Sequence, residues 1–127
     1  MALLDENDRV RVFCTNPDAK LPQRAHRTDA GMDFFFCPHE GAAKRIMPGE
    51  STLLGTGIKM EVPPGCMLQI MNKSGVASKK SLVTGACVVD EGYTGEIFVN
   101  LHNIGSVPQF IEPGQKIAQG VFVRIEK

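Results

Sequence analysis

Residues 45–71, RIMPGESTLLGTGIKMEVPPGCMLQIM, decide the fold class. Four short apolar runs, Arg45–Met47, Thr52–Leu54, Gly57–Val62 and Met67–Met71, follow one another with turn residues between them. Pro48-Gly49 and Pro64-Gly65 suit type II turns, in which Pro fixes the first central residue and Gly takes positive φ at the second. The pattern continues outward on both sides. Arg9–Cys14 and Met32–Cys37 precede this stretch; Ala86–Val89, Glu96–His102 and Lys116–Ile125 follow it, the last after a third Pro-Gly step at Pro113-Gly114. Strands with turn signals at this spacing predict an all-β sandwich, barrel or jelly roll. Only Gly75–Lys80 reads as a helical turn. Phe34-Phe35-Phe36 cannot point three rings to one side of a strand, so both faces of that strand should be covered.

At 127 residues and 13.8 kDa the chain is expected to be a single domain over 1–127, small enough to gain from oligomerisation. Fourteen Lys and Arg balance fourteen Asp and Glu, so no overall positive field exists to hold a nucleic-acid polymer. Nucleotide chemistry would need a local site. The opening MALLDENDRV lacks the apolar stretch of a signal peptide and no run approaches membrane-spanning length, which places the chain in the cytoplasm and off the membrane. Cys14, Cys37, Cys66 and Cys87 are far apart and form no CxxC pair, which fits free thiols better than a disulfide or zinc framework.

The chemistry concentrates in residues 72–96, NKSGVASKKSLVTGACVVDEGYTGE. Val88 to Glu96 reads as a Gly-punctuated hairpin. On its turn Asp90 and Tyr93, the only tyrosine, lie three positions apart, so a carboxylate and a ring can face one small space. An open strand edge there offers alternating N–H and C=O groups that match the acceptor-donor-acceptor edge of uracil. A plain surface turn would carry the same Asp and Gly. Asn72-Lys73-Ser74-Gly75 suits phosphate: Lys and Ser donate, and Gly75 lets backbone N–H groups approach an anion. Asp33, after the small residues Asp29-Ala30-Gly31, is expected to hold a cation of the opposite site wall or to serve as a turn carboxylate. Gln119, beyond Pro113-Gly114, is placed to reach a phosphate or to be an ordinary polar strand residue. Cys37-Pro38-His39 resembles a metal pair only superficially, and Lys79-Lys80 reads as a solvated pair.

Taken together, Ala30-Gly31-Met32-Asp33, Lys73-Ser74-Gly75-Val76-Ala77, Val89-Asp90-Glu91-Gly92-Tyr93-Thr94-Gly95-Glu96 and Gly114-Gln115-Lys116-Ile117-Ala118-Gln119 resemble, in order and spacing, four of the five signature motifs of the trimeric dUTP pyrophosphatases, the dUTPases. The resemblance covers about Ala30 to Ile125. It implies a jelly-roll-like β-clip fold and a homotrimer with sites at subunit junctions. The implied activity is hydrolysis of dUTP to dUMP and pyrophosphate with Mg2+ held mainly by the substrate triphosphate. By motif, Asp90 would be the base that deprotonates the attacking water, and Tyr93 would lie under the deoxyribose. Lys73, Ser74, Gly75 and Gln119 would hold phosphate, Cys87 and Val89 would line the base site, and Asp33 would support the phosphate and metal side.

The chain departs from the family pattern in three places. No Gly-rich C-terminal fifth motif with its Phe follows the last strand, so the site is expected to close by other means or to work in weakened form. Lys73 replaces a usual Arg, a point charge in place of a fork. Cys87 stands where Gly is general, and Gly92 where a second Asp is common. Gly92 also resembles the related dCTP deaminases, but Phe98-Val99-Asn100 lacks the acid they carry there, and Asn100 cannot shuttle protons. A further alternative is a catalytically weak nucleotide-sensing or protein-binding module on the same fold.

Overall fold

The computed structural model describes residues 10–127, so Arg9 of the first apolar run lies outside the described residues. Eleven strands and one helix follow in the order β1 Val12–Cys14, β2 Met32–Phe35, β3 Lys44–Ile46, β4 Ser51–Gly55, β5 Ile58–Met60, β6 Cys66–Met71, α1 Ser74–Lys80, β7 Leu82–Thr84, β8 Val88–Val89, β9 Phe98–Asn103, β10 Gln109–Ile111 and β11 Lys116–Arg124. They form a four-stranded sheet β2-β11-β6-β8, a three-stranded sheet β4-β9-β7 and two ribbons, β1-β5 and β10-β3, with every pairing antiparallel. The all-β class read from residues 45–71 is the class observed. Phe34, Leu68 and Ile117 of the larger sheet meet Leu54, Val99 and Leu101 of the smaller one in a shared core, each at most 1% exposed. Each such side chain contributes about 1.5–3 kcal/mol when removed from water.

The three Pro-Gly turns form as expected, with φ of +82° at Gly49, +76° at Gly65 and +84° at Gly114. Phe34, Phe35 and Phe36 are all buried. Phe34 and Phe36 enter the core, whereas Phe35 faces the other way and is covered by the Lys20 ammonium, 5.3 Å from its ring centroid. The expected helical turn is the seven-residue α1. It buries only Val76 and ends at Ser81, held in the left-handed region at φ +54°.

The hairpin expected between Val88 and Glu96 is not a hairpin. Val89 pairs with Leu68 in the larger sheet, while Phe98 pairs with Gly55 in the smaller, so the 90–97 segment crosses between sheets. The physical reason lies in competing partners. Ile97 N–H donates to Ile58 O (2.7 Å), and Ile97 O accepts from the Thr56 hydroxyl (2.6 Å). The backbone groups that would extend a local ladder are already taken. Two strands lie outside the expected runs, β7 and β10; each has three residues and carries one buried anchor, Leu82 or Ile111.

Candidate active site

Two clusters form. The first is at the end of β6 where the chain turns into α1. Asp33 on β2 is 1% exposed, and its two carboxylate oxygens face Lys73 Nζ at 2.7 Å and Lys116 Nζ at 3.2 Å. Neither oxygen accepts a well-angled hydrogen bond, so the contact is electrostatic. Two cations on one buried anion leave net positive charge at this corner of a chain with no net charge.

A register shift in β11 builds the corner. Lys116 opposes Phe35 and Gln119 opposes Asp33, with a bulge between Lys116 and Ala118. In an unbroken strand, residues three apart point to opposite faces; the extra residue restores phase and puts Lys116 and Gln119 on the Asp33 face. Gln119 Nε2 donates to Asn72 O (2.9 Å), and Gly31 beside it leaves room for the Gln119 amide, which a Cβ there would make shift. Asn72 Oδ1 accepts from Thr84 N–H (2.8 Å) and so ties β7 to the corner. The helical ladder starts with Ala77 N–H donating to Lys73 O (2.9 Å), which leaves the N–H groups of Ser74, Gly75 and Val76 without helical acceptors. Lysines, a Ser hydroxyl and N–H groups outside the helical ladder are donors of the type that suits phosphate oxygens.

The second cluster surrounds the segment after β8. Tyr93 N–H donates to Asp90 O (3.1 Å), closing the turn that carries both side chains. Glu91 Oε1 accepts from Gly65 N–H (2.8 Å) and anchors that turn to the Pro63-Pro64-Gly65 bend. Tyr93 Oη donates to Glu96 O (2.6 Å), and a Cβ at Gly95 would lie 2.7 Å from Tyr93 Oη, so Gly95 leaves room for the ring. Asp90 and Tyr93 line a cavity of about 280 Å3 with Cys87, Val89, Ile70 and Phe98. That volume suits one ring system and not an entire nucleotide triphosphate. Gly92, by contrast, needs no special backbone: its φ is not positive and nothing lies within 4 Å of a Cβ built there.

The chain does not bring the two clusters together. Asp33 aligns with Gln119 and Met71 at one edge of the larger sheet, whereas Asp90 follows β8 at the other edge, near Met67. The run from Met71 back to Met67 plus three strand spacings separates them by roughly 20 Å on the diagonal. Sequence reasoning missed Lys116, Asn72 and Glu91. Lys116 sits inside a quoted motif, but only the β11 bulge turns it toward Asp33; the partners of Asn72 and Glu91 are distant backbone groups with no local signal. Asn100 does not face the cavity and bonds Thr52 O and Ala86 N–H instead. His39 pairs with Glu96 (3.2 Å), and among the described residues no group of three or more His, Cys, Asp or Glu is placed to hold a metal.

An antiparallel β fold with a cationic corner and a ring-sized cavity beside a carboxylate has the groups that a nucleotide-handling protein uses. The chain belongs to the dUTPase family, whose profile matches residues 17–127. It is similar to the deoxyuridine 5'-triphosphate nucleotidohydrolase of Clostridium tetani, 43% identical over 120 residues that cover 93% of this chain and 80% of the relative. The corresponding protein of Clostridium acetobutylicum is 41% identical over 111 residues, 86% of this chain and 74% of the relative. Among solved structures, a mutant dUTPase of Staphylococcus bacteriophage 80alpha with dUpNHpp superposes with a TM-score of 0.87 at 26% identity, covering 95% of this chain and 85% of that one. A mutant dUTPase from phage phi11 of S. aureus, described for coordination of a structural Mg(II) ion, gives a TM-score of 0.86 at 25% identity, covering 94% of this chain and 93% of that one.

Proposed function

We propose that this chain is a dUTP diphosphatase that hydrolyses dUTP to dUMP and pyrophosphate, acting as a single-domain homotrimer in the cytoplasm. The observation that carries the reading is the Asp90–Tyr93 turn beside a ring-sized cavity, in a chain of the dUTPase family. Asp90 takes a proton from water, whose oxygen bonds to the α phosphorus as the bond to the bridging α–β oxygen breaks and pyrophosphate leaves. Such general-base help is worth typically ~10²–10⁴-fold. Tyr93, fixed by its bond to Glu96 O, packs under the deoxyribose and leaves no space for a 2′-hydroxyl. Cys87 and Val89 contact the base. Lys73, Ser74, Gly75 and Gln119 hold the phosphates, and Asp33 sets the position of Lys73.

Mg2+ fits this site as a cation carried by the triphosphate. The corner's one buried carboxylate, Asp33, already has both oxygens on lysines, so it would support the ion from outside its ligand set. When bound, the ion offsets phosphate charge that would repel the nucleophile. The geometry supports a site shared between copies, and the family supports three of them. Groups roughly 20 Å apart cannot serve one α phosphorus and its oxygens, so a complete site takes Asp90 from one copy and Lys73 and Ser74 from a neighbour. The test is purified protein with Mg2+ against dUTP, dCTP, dTTP and UTP separately. Selective release of dUMP and pyrophosphate from dUTP is expected; no turnover, or dUTP from dCTP, would overturn the reading.

A further inference from the structure

Asn100 on β9 is half-buried and bonded on every side. Its Nδ2 donates to Thr52 O on β4 (3.1 Å), its Oδ1 accepts from Ala86 N–H (3.0 Å), and His102 Nε2 lies 3.2 Å from that same oxygen. An amide oxygen only accepts, so it selects the His102 form with a proton on Nε2. Room for this arrangement comes from Gly85, where a Cβ would collide with both side chains. Gly85 N–H donates to Asn100 O (2.9 Å). One residue of the smaller sheet therefore holds two consecutive N–H groups of the segment that leads into β8 of the larger one.

That segment forms one wall of the cavity, which Ala86, Cys87 and Val88 all line. Cys87 O accepts from Ile70 N–H (2.7 Å), so the backbone of Cys87 is turned toward β6. By strand alternation the backbone groups of Ala86 and Val88 point the opposite way, off the sheet edge. On that edge the Ala86 N–H goes to Asn100, and the N–H and C=O of Val88 come next along it.

We propose that Asn100 is a positioning residue for base recognition. By fixing Ala86 it sets where Val88 presents its donor and acceptor to the pyrimidine edge, and so sharpens selection of uracil over cytosine. It touches neither substrate nor cavity and acts through Ala86. The inference rests on the hydrolase reading above and goes beyond it by assigning part of the selectivity to a residue outside the site.

The test measures kcat, KM and melting temperature for Asn100→Ala, Asn100→Asp and, as a control, Asn103→Ala, with dUTP and dCTP as substrates. Loss of one hydrogen bond that orders the edge should raise KM for dUTP roughly five- to tenfold with kcat within about twofold, and should narrow the dUTP:dCTP ratio of kcat/KM by a similar factor. Asn100→Asp keeps an acceptor for Ala86 N–H but loses the donor to Thr52 O, so it should recover part of the loss in KM while still lowering the melting temperature. Asn103, 1% exposed and bonded to Ile46 O and Val107 O at 2.9 Å, should cost melting temperature on truncation without moving the ratio. If Asn100→Ala does not fold, Asn100→Ser takes its place with the same expected shift in KM. A lowered melting temperature with unaltered KM and ratio would overturn the inference, as would Asn100→Asp no better than Asn100→Ala. Failure of the unaltered protein to hydrolyse dUTP would overturn the activity reading and this inference with it; dUTP turnover with no shift in Asn100→Ala would overturn this inference alone.

Discussion

Two inactive variants should restore activity to each other. Asp90→Asn removes the base from one corner of the β2-β11-β6-β8 sheet; Lys73→Ala combined with Ser74→Ala removes phosphate donors from the other. Both variants should fold, because Asp90 is exposed and Asp33 keeps Lys116 at 3.2 Å when Lys73 is cut back. Each alone should lose at least about a hundredfold in kcat/KM, from the missing base in one and two missing charge-assisted contacts in the other. Co-refolded one to one, the chains assort at random into rings. A junction works when its Asp90 comes from a Lys73→Ala/Ser74→Ala chain and its phosphate corner from an Asp90→Asn chain, so about one quarter of junctions should be competent in a closed cyclic oligomer. Steady-state pyrophosphate release from the mixture should therefore reach about 25% of the rate of the unaltered protein, against almost nothing from either parent. Light scattering on the same samples gives the copy number. A co-refolded mixture as inactive as its parents would refute the reasoning, since it would mean that one chain supplies both halves of the site across roughly 20 Å of sheet.

Assayed alone, Asp90→Asn should lower kcat by about 10²–10⁴-fold with little change in the dissociation constant for a non-hydrolysable dUTP analogue, measured by calorimetry. Gly95→Ala places a Cβ 2.7 Å from Tyr93 Oη and must displace the ring, so discrimination between dUTP and UTP should fall while melting temperature changes little. Asp33→Ala leaves Lys73 and Lys116 unpaired; because both lysines keep contact with solvent, urea denaturation should show a loss of roughly 1–3 kcal/mol, less than the 3–5 kcal/mol of a fully buried pair. The Cys37 thiol is held above its ordinary pKa by burial, with Asp18 and Glu96 adding to the effect. A raised folded value means that the protonated thiol is favoured by folding: its contribution is complete below the ordinary thiol value and falls as pH climbs through the folded one, so stability should decline on the alkaline side. Iodoacetamide labelling followed by mass spectrometry should accordingly modify exposed Cys14 long before Cys37.

The fold class was legible because its signals are local. A Pro-Gly pair dictates its own turn, and Gly49, Gly65 and Gly114 adopt the positive φ that Pro48, Pro64 and Pro113 announced. Runs such as Met67–Met71 show their apolar character within five residues and need no partner to be seen. The Asp90–Tyr93 turn was legible for the same reason, being closed by a bond between residues three apart. Strands β7 and β10 were not: no Pro-Gly step introduces either, and their pairing partners, β9 and β3, are distant in the chain.

Sequence alone determined the β class, the four motifs, and which residue types stand ready for phosphate and for a ring. All of these depend on the covalent order of residues and on short-range sterics. Tertiary structure decided what those residues face. Nothing near Asp33 in the chain says that Lys73, forty positions on, and Lys116 share its carboxylate, or that one bulge in β11 turns Lys116 and Gln119 to the same side. Nor does the order Val89, Asp90, Phe98 reveal that its two arms join different sheets, because competition from Leu68, Ile58 and Thr56 is settled only when distant strands compete for the same backbone groups. The separation of the Asp33 and Asp90 clusters across one sheet is a property of strand order, which the linear chain does not contain.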